Sequence, residues 1–192
     1  MAERIILGID PGTVIMGFAV ISANGQRYKL ISAGAVKFKN KDPHFDRLHE
    51  IFEAVSRIIQ LHGPKEIAIE EPFFGKNVQS MLKLGRAQGV AIAAGMQNNL
   101  PVTGYSPRTV KQSITGKGAA SKEQVATMLQ QIFAIETLPV HLDATDALAV
   151  ALCHHFQTKE LNGSKIKTST VKSTKKAKGW GAFVSNNPDR VK

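Results

Sequence analysis

Residues 5–13 read IILGIDPGT, and the fold turns on them. Ile5, Ile6, Leu7 and Ile9 make a short apolar run that a Pro-Gly pair closes, the pattern of a buried strand over residues 3–10. The run ends on a bare carboxylate, Asp10. An acid so near the middle of a sheet is costly unless something binds it.

The strands that follow place this one. MGFAVISA at 16–23 reads as a second strand, NGQ at 24–26 as a hairpin turn, and residues 27–39 as a third strand. The chain therefore opens with an antiparallel three-strand meander. After Pro43 the period changes. Phe45, Leu48, Ile51, Phe52, Val55, Ile58 and Ile59 recur at three-and-four spacing, an amphipathic helix that HGP at 62–64 ends. EIAIE at 66–70 is a short buried strand, 77–97 a long helix and PVTGYS at 101–106 a fifth strand. Shorter helices follow near 107–114 and 121–133, the second starting on Ser121 with Glu123 and Gln124 close behind. A last helix spans about 141–157. A meander followed by alternating units predicts an α/β domain, a five-stranded mixed sheet in which two parallel strands join the meander, flanked by helices.

Composition agrees with one such domain. The chain has 192 residues, 43% hydrophobic and 21% charged, enough to bury a real core. The one cysteine, Cys153, excludes an internal disulfide framework and Cys-based zinc, and its apolar surroundings read as a buried inert thiol. The N-terminus lacks a signal-peptide layout and no stretch reaches ~20 apolar residues, so a cytoplasmic protein without a membrane partner is expected. Net charge is +10, of which residues 158–192 carry +7. Apolar periodicity vanishes there, so the expected division is a folded domain over 1–157 and a basic, disordered tail over 158–192. The basic balance suggests a polyanionic partner, nucleic acid above all. A solvated tail is the plain alternative, and Trp180 with Phe183 in it suggests docking.

Three places carry acids that packing would not choose. Asp10 and Glu70 end two strands expected to lie side by side and parallel; Asp143 and Asp146 open the last helix, three residues apart and on one face. Taken singly, Asp10 is a turn former, Glu70 a solvated strand end and Asp143 a helix cap. Taken together they meet at one sheet mouth, where ligands of open sheets bind. Four carboxylates repel one another unless cations sit among them. With no His/Cys set beside them, hard oxygen-seeking ions are favoured, Mg²⁺ above all. Two such ions about 3.5–4 Å apart clamp the attacking and leaving oxygens of a phosphodiester.

IILGIDPGT, IAIEEPFFGKNVQSMLKLGRAQGVAIAA, VKQSITGKGAASKEQV and DATDALAVALCHH, in order over roughly residues 4–157, closely resemble the RuvC family of Holliday-junction resolvases. GIDPGT alone is a weak signal, since sugar kinases and actin-like ATPases carry a similar phrase. The resemblance implies an RNase H-like fold and a homodimer. It further implies a crossover junction endodeoxyribonuclease that makes two symmetric Mg²⁺-dependent nicks in four-way DNA junctions, leaving 5′-phosphate and 3′-hydroxyl ends. It implies two Mg²⁺ per subunit with Mn²⁺ as a substitute, and partnership with the RuvA–RuvB branch-migration complex. By motif the family's catalytic, metal-holding acids fall on Asp10, Glu70, Asp143 and Asp146, and its lysines near the scissile phosphate on Lys111 and Lys122. Glu71 stands where some members carry Gln and is not counted. Phe73 resembles the family's base-stacking aromatic, whereas Phe74 reads as core.

Asn77 is expected to cap the long helix and touch DNA, and Lys76, Lys83, Arg86, Arg108 and Lys117 to contact backbone phosphates. Gly85, Gly89 and Ala93 put small residues at four-spacing, either a dimer seam or a face packed on the chain's own sheet. His141, just before the last acids, reads as a cap or packing residue at the last helix's start, with assistance at the metal site as the alternative, and His154 and His155 read as helix-end residues favoured there when charged. Rival readings are an RNA-processing nuclease of the same fold, a junction-binding protein without chemistry, and an actin-like phosphotransfer enzyme. The last needs a second lobe, for which 192 residues leave little room.

Overall fold

The sheet order is β3-β2-β1-β4-β5. These strands span Arg4–Asp10 (β1), Ile15–Asn24 (β2), Arg27–Lys37 (β3), Glu66–Glu70 (β4) and Val102–Tyr105 (β5). The helices are α1 (His44–His62), α2 (Val78–Gln97), α3 (Pro107–Thr115), α4 (Lys122–Phe133) and α5 (Leu142–Gly163). This computed structural model describes residues 3–39, 41–72, 77–139 and 141–163, the side chains only as far as 158. β1, β2 and β3 pair antiparallel, whereas β4 adds parallel to β1 and β5 parallel to β4. The expected mixed sheet is therefore the observed one. Among the described residues no helix is long and apolar enough to cross a membrane. Phe73, Phe74, Lys76, Trp180 and Phe183 lie outside the described residues.

Strand parity sorts the core into two layers, because successive side chains point to opposite faces. Leu7 and Ile9 on β1, with Ile67 and Ile69 on β4, pack against Ile51, Val55 and Ile59 of α1 and Ala87, Ala91 and Ala94 of α2. Ile6 and Ala68 point the other way, into a cluster with Val110 of α3, Leu129 of α4 and most of α5. By the same parity Gly8 and Asp10 share the face of Ile6, and Glu66 and Glu70 the face of Ala68.

α5 is the central member of that second layer. Every residue from Ala147 to His155 is buried, because the sheet covers one side and α3 and α4 the other. An all-round apolar helix is the sequence signature of such a position. Two glycines set its distance from the sheet. A Cβ on Gly8 would lie 2.1 Å from the Ala147 carbonyl oxygen, and one on Gly17 1.9 Å from that of Asp143. The helix backbone thus rests directly on the β1–β2 backbone, a common use of glycine inside a strand.

Local signals fix the helix ends. Gly63 takes the left-handed conformation (φ 56°) and its N–H closes α1 on the Ile59 carbonyl at 2.9 Å. Asn77 caps α2 by accepting from the Ser80 N–H. Ser121 and Gln124 form a reciprocal capping box on α4. α5 differs from expectation: it runs to Gly163 rather than stopping at 157. Thr158 holds this turn, its hydroxyl donating to the His154 carbonyl at 2.7 Å and accepting from Arg4.

Candidate active site

β1 and β4 run parallel with Ile9 beside Ile69, so Asp10 and Glu70 leave adjacent strand ends on the same face. Asp10 is also the cross-strand partner of Gly17, against which the Asp143 backbone rests. One continuous chain of contacts therefore carries Asp143, and Asp146 one helical turn on, to the mouth where Asp10 and Glu70 emerge.

The electrostatics register this gathering. Burial, then the charges of Asp146 and Asp143, push the Asp10 carboxyl from an ordinary 3.8 to about 7. Burial, then Asp10 and Asp146, push Glu70 from 4.5 to about 8. Lys122 opposes both shifts and Lys111 opposes that of Glu70. Lys122 sits at the first turn of α4 and donates from Nζ to Asp146 Oδ2 at 2.7 Å. That bond is the main reason its own pKa rises. The acids are grouped but not closed: among the described residues no three acidic, His or Cys side chains form a ready metal cage.

This donor set suits a hard divalent cation. It is all oxygen, and burial, then neighbouring negative charge, hold two of its carboxylates at pKa values of about 7 and about 8. A bound cation would offset both effects and lower both pKa values.

Neighbouring residues hold the mouth in shape. Arg47 of α1, 9% exposed, donates from Nη1 to the Thr13 carbonyl at 3.1 Å and braces the turn after Asp10. Gln88 of α2 donates to the Glu70 carbonyl at 3.4 Å. Neither residue, nor Gly8 or Gly17, stood out in the sequence. Gly8 was detectable: it lies two residues before Asp10 on the same strand face, where glycine marks close backbone approach.

The other expected residues fall as follows. Lys111 joins Arg108 and Lys117 around a cavity of about 740 Å³ beside α3. Lys83 and Arg86 are exposed on α2, and Asn77 is exposed where it caps that helix. Phe73 and Lys76 lie outside the described residues. The Glu71 side chain packs on Gly104 of β5. At the start of α5 the His141 carbonyl accepts from the Ala144 and Thr145 N–H groups, the first backbone bonds of the helix.

His154 and His155 correct the sequence reading. They are not at a helix end but buried within α5, 3% exposed each. Burial lowers the His154 pKa, so it is neutral rather than charged. His155 packs edge-on to Tyr28, with ring centroids 5.4 Å apart. The small-residue face of α2 is also decided. Gly85, Gly89 and Ala93 are exposed, and nothing lies within 4 Å of a Cβ built on either glycine. Ala87, Ala91, Ala94 and Gly95 form the face packed on the sheet instead.

Comparison with known proteins meets this geometry. The family model described as crossover junction endodeoxyribonuclease RuvC matches residues 6–154. The chain belongs to the RuvC family. The RuvC protein of Bacteroides fragilis is 50% identical over 192 residues, covering 99% of this chain and 97% of its own length. That of Cytophaga hutchinsonii is 49% identical over 190 residues, covering 99% and 89%. Among solved structures, Thermus thermophilus RuvC in complex with Holliday junction substrate superposes with a TM-score of 0.78 at 32% identity, over 82% of this chain and 96% of that one. The yeast mitochondrial Holliday junction resolvase Ydc2, at 13% identity and a TM-score of 0.63, shares the fold. The fold is that of the RuvC proteins, RNase H-like.

Proposed function

We propose that this protein is a divalent-metal-dependent endonuclease that resolves four-way DNA junctions. The carrying observation is the convergence of Asp10, Glu70, Asp143 and Asp146 at one sheet mouth, with the first two held well above ordinary carboxylate pKa values by burial and then by neighbouring acids. Family membership supports the substrate, since the Thermus thermophilus relative was solved in complex with Holliday junction substrate.

Asp10, Glu70, Asp143 and Asp146 would hold Mg²⁺, two ions per subunit with Mn²⁺ as a substitute. Bound there, the metal supplies Lewis-acid stabilisation of the phosphodiester oxygens. The chain's own groups do the rest. Asp10 and Glu70 arrive on rigid strands, so their carboxylates are set before substrate binds. Lys122 and Lys111 bring positive charge to the same mouth and offset the charge that develops on the phosphate. Lys83 and Arg86 on α2, and Arg108 and Lys117 around the cavity that Lys111 lines, are the candidates for backbone phosphates. Phe73, following the Glu70 strand, is the candidate for stacking on an unpaired base.

We further propose a homodimer that cuts both strands symmetrically. Val78, Leu82, Gly85, Gly89, Ala93 and Met96 form one exposed stripe along α2 at three-and-four spacing, with Val78 66% and Met96 65% exposed. A second copy of the same stripe would cover it in a two-fold interface. Family membership also supports RuvA–RuvB as its branch-migration partner.

The test offers the full chain a mobile four-way junction, a linear duplex of the same sequence and a structured RNA, with Mg²⁺ or EDTA. Paired nicks in the junction alone, only with Mg²⁺, are expected. Cleavage of RNA in preference to the junction, or junction binding without nicks, would replace the proposal by one of its rivals.

A further inference from the structure

The far end of α5 carries a closed set of hydrogen bonds that the chemistry above does not use. Tyr105 Oη lies 2.8 Å from His154 Nδ1, and His154 Nε2 lies 2.9 Å from Glu66 Oε2. Arg4 grips the same carboxylate through Nε at 2.7 Å and Nη2 at 2.5 Å. Arg4 Nη1 reaches Thr158 Oγ1 at 2.8 Å, and that hydroxyl returns to the His154 carbonyl at 2.7 Å. The ring ties β1, β4, β5 and α5 together.

The donors and acceptors assign themselves. The hydrogen bond from Arg4 is the main reason the Glu66 pKa is lowered, so Glu66 is ionised and only accepts. His154 Nε2 therefore carries the proton, and Nδ1 accepts from Tyr105, whose hydroxyl burial pushes up to about 12. Every polar group in the ring has a partner, a condition under which a buried network specifies one arrangement.

Placement gives the ring its consequence. Asp143, Ala147, Ala151, His154 and Thr158 follow one another at four- and three-residue steps, one stripe of α5. Asp143 rests on Gly17 at one end, and Ala147 and Ala151 rest on Gly8 in the middle. Alanines on glycines make a smooth contact that resists approach but not sliding. The ring grips the other end, ~16 Å beyond Asp143 and ~12 Å beyond Asp146 at the ~1.5 Å rise per helical residue.

Building on the metal-site reading above, we propose that His154 is a positioning residue. With Tyr105, Glu66, Arg4 and Thr158 it fixes where α5 lies along the sheet. It thereby sets the spacing of Asp143 and Asp146, on the helix, from Asp10 and Glu70, on the strands. The ring acts through the backbone of α5 and touches neither substrate nor metal.

The test uses full-length Y105F and H154Q. Y105F removes one hydroxyl and so opens the hydrogen-bonded ring while keeping the packed phenyl group, and it remains informative where H154Q unfolds. I114V, a change in the same core layer away from the ring, serves as the destabilised control. Mn²⁺ affinity is measured by calorimetry without DNA, at a temperature well below each thermal midpoint, together with junction affinity in EDTA. Y105F is expected to weaken Mn²⁺ binding roughly 10-fold, the lower end of outer-shell effects on metal sites. Junction affinity should stay within twofold and I114V should bind Mn²⁺ as the wild type does. Unchanged Mn²⁺ affinity in Y105F, or an equal loss in I114V, would overturn the proposal and leave the ring a stability element. Weaker Mn²⁺ binding in Y105F, together with a wild type that leaves a mobile junction uncut in Mg²⁺, would overturn the nuclease reading and support the positioning one.

Discussion

Replacing Asp10 by Asn should make the metal-free protein more stable at alkaline pH while destroying its activity. Asp10 titrates near pH 7 in the fold and near 3.8 in the unfolded chain. Between those values the folded state binds more protons, so the stability of the wild type falls as pH rises through this window. The displacement from 3.8 to about 7 corresponds to a ceiling of ~4 kcal/mol at ~1.36 kcal/mol per pH unit, fully felt only above pH 8. Asn never ionises and escapes this cost, but its amide is as buried and less well matched, so a net gain of ~1–3 kcal/mol is expected. For a chain of this size that is roughly 3–8 °C in thermal midpoint. The assay is thermal and urea unfolding of both proteins in EDTA at pH 5.0 and pH 8.5. D10N should be the more stable at 8.5, and the difference should shrink towards pH 5.0. Saturating Mg²⁺ at pH 8.5 should stabilise the wild type and largely close the gap. A D10N protein less stable than wild type at pH 8.5 in EDTA, or a difference independent of pH, would refute the claim that burial and its acidic neighbours hold the Asp10 carboxyl above its ordinary range.

Other consequences are as concrete. G8A pushes a methyl into the Ala147 carbonyl, and should cost at least ~3 kcal/mol, read as a loss of thermal midpoint, because both partners are backbone. G89E points into open space in one chain, so it should fold normally yet run as a monomer in analytical ultracentrifugation if α2 is the seam. K122M removes the cation bonded to Asp146. It should slow junction nicking ~10²-fold, as loss of a charge-stabilising donor does elsewhere, with junction affinity changed only a few-fold in a gel-shift assay.

Much of the fold was legible because its signals are local. β1 and β4 are apolar runs closed by turn residues, and the capping residues Asn77 and Ser121 announce their helices. The pairing of Asp10 with Glu70 followed from two parallel strands ending together. What escaped the sequence depends on long-range packing. Lys122 and Asp146 are 24 residues apart, and only the fold brings them to one hydrogen bond. His154 and His155 looked terminal because polar residues follow them, yet α5 runs on through Thr158, which bonds back to the His154 carbonyl. The seating of α5 on Gly8 and Gly17 is a backbone contact between segments more than a hundred residues apart, and periodicity does not register it.

The central claim is that four carboxylates at the sheet mouth make one metal-dependent cutting site. It is tested most directly by single-turnover cleavage of a labelled mobile junction by D10N, E70Q, D143N and D146N in saturating Mg²⁺, with junction affinity measured in parallel. Each variant should lose at least ~10²-fold in rate while binding the junction within a few-fold of wild type. Cleavage at the wild-type rate by these amide variants would contradict the account.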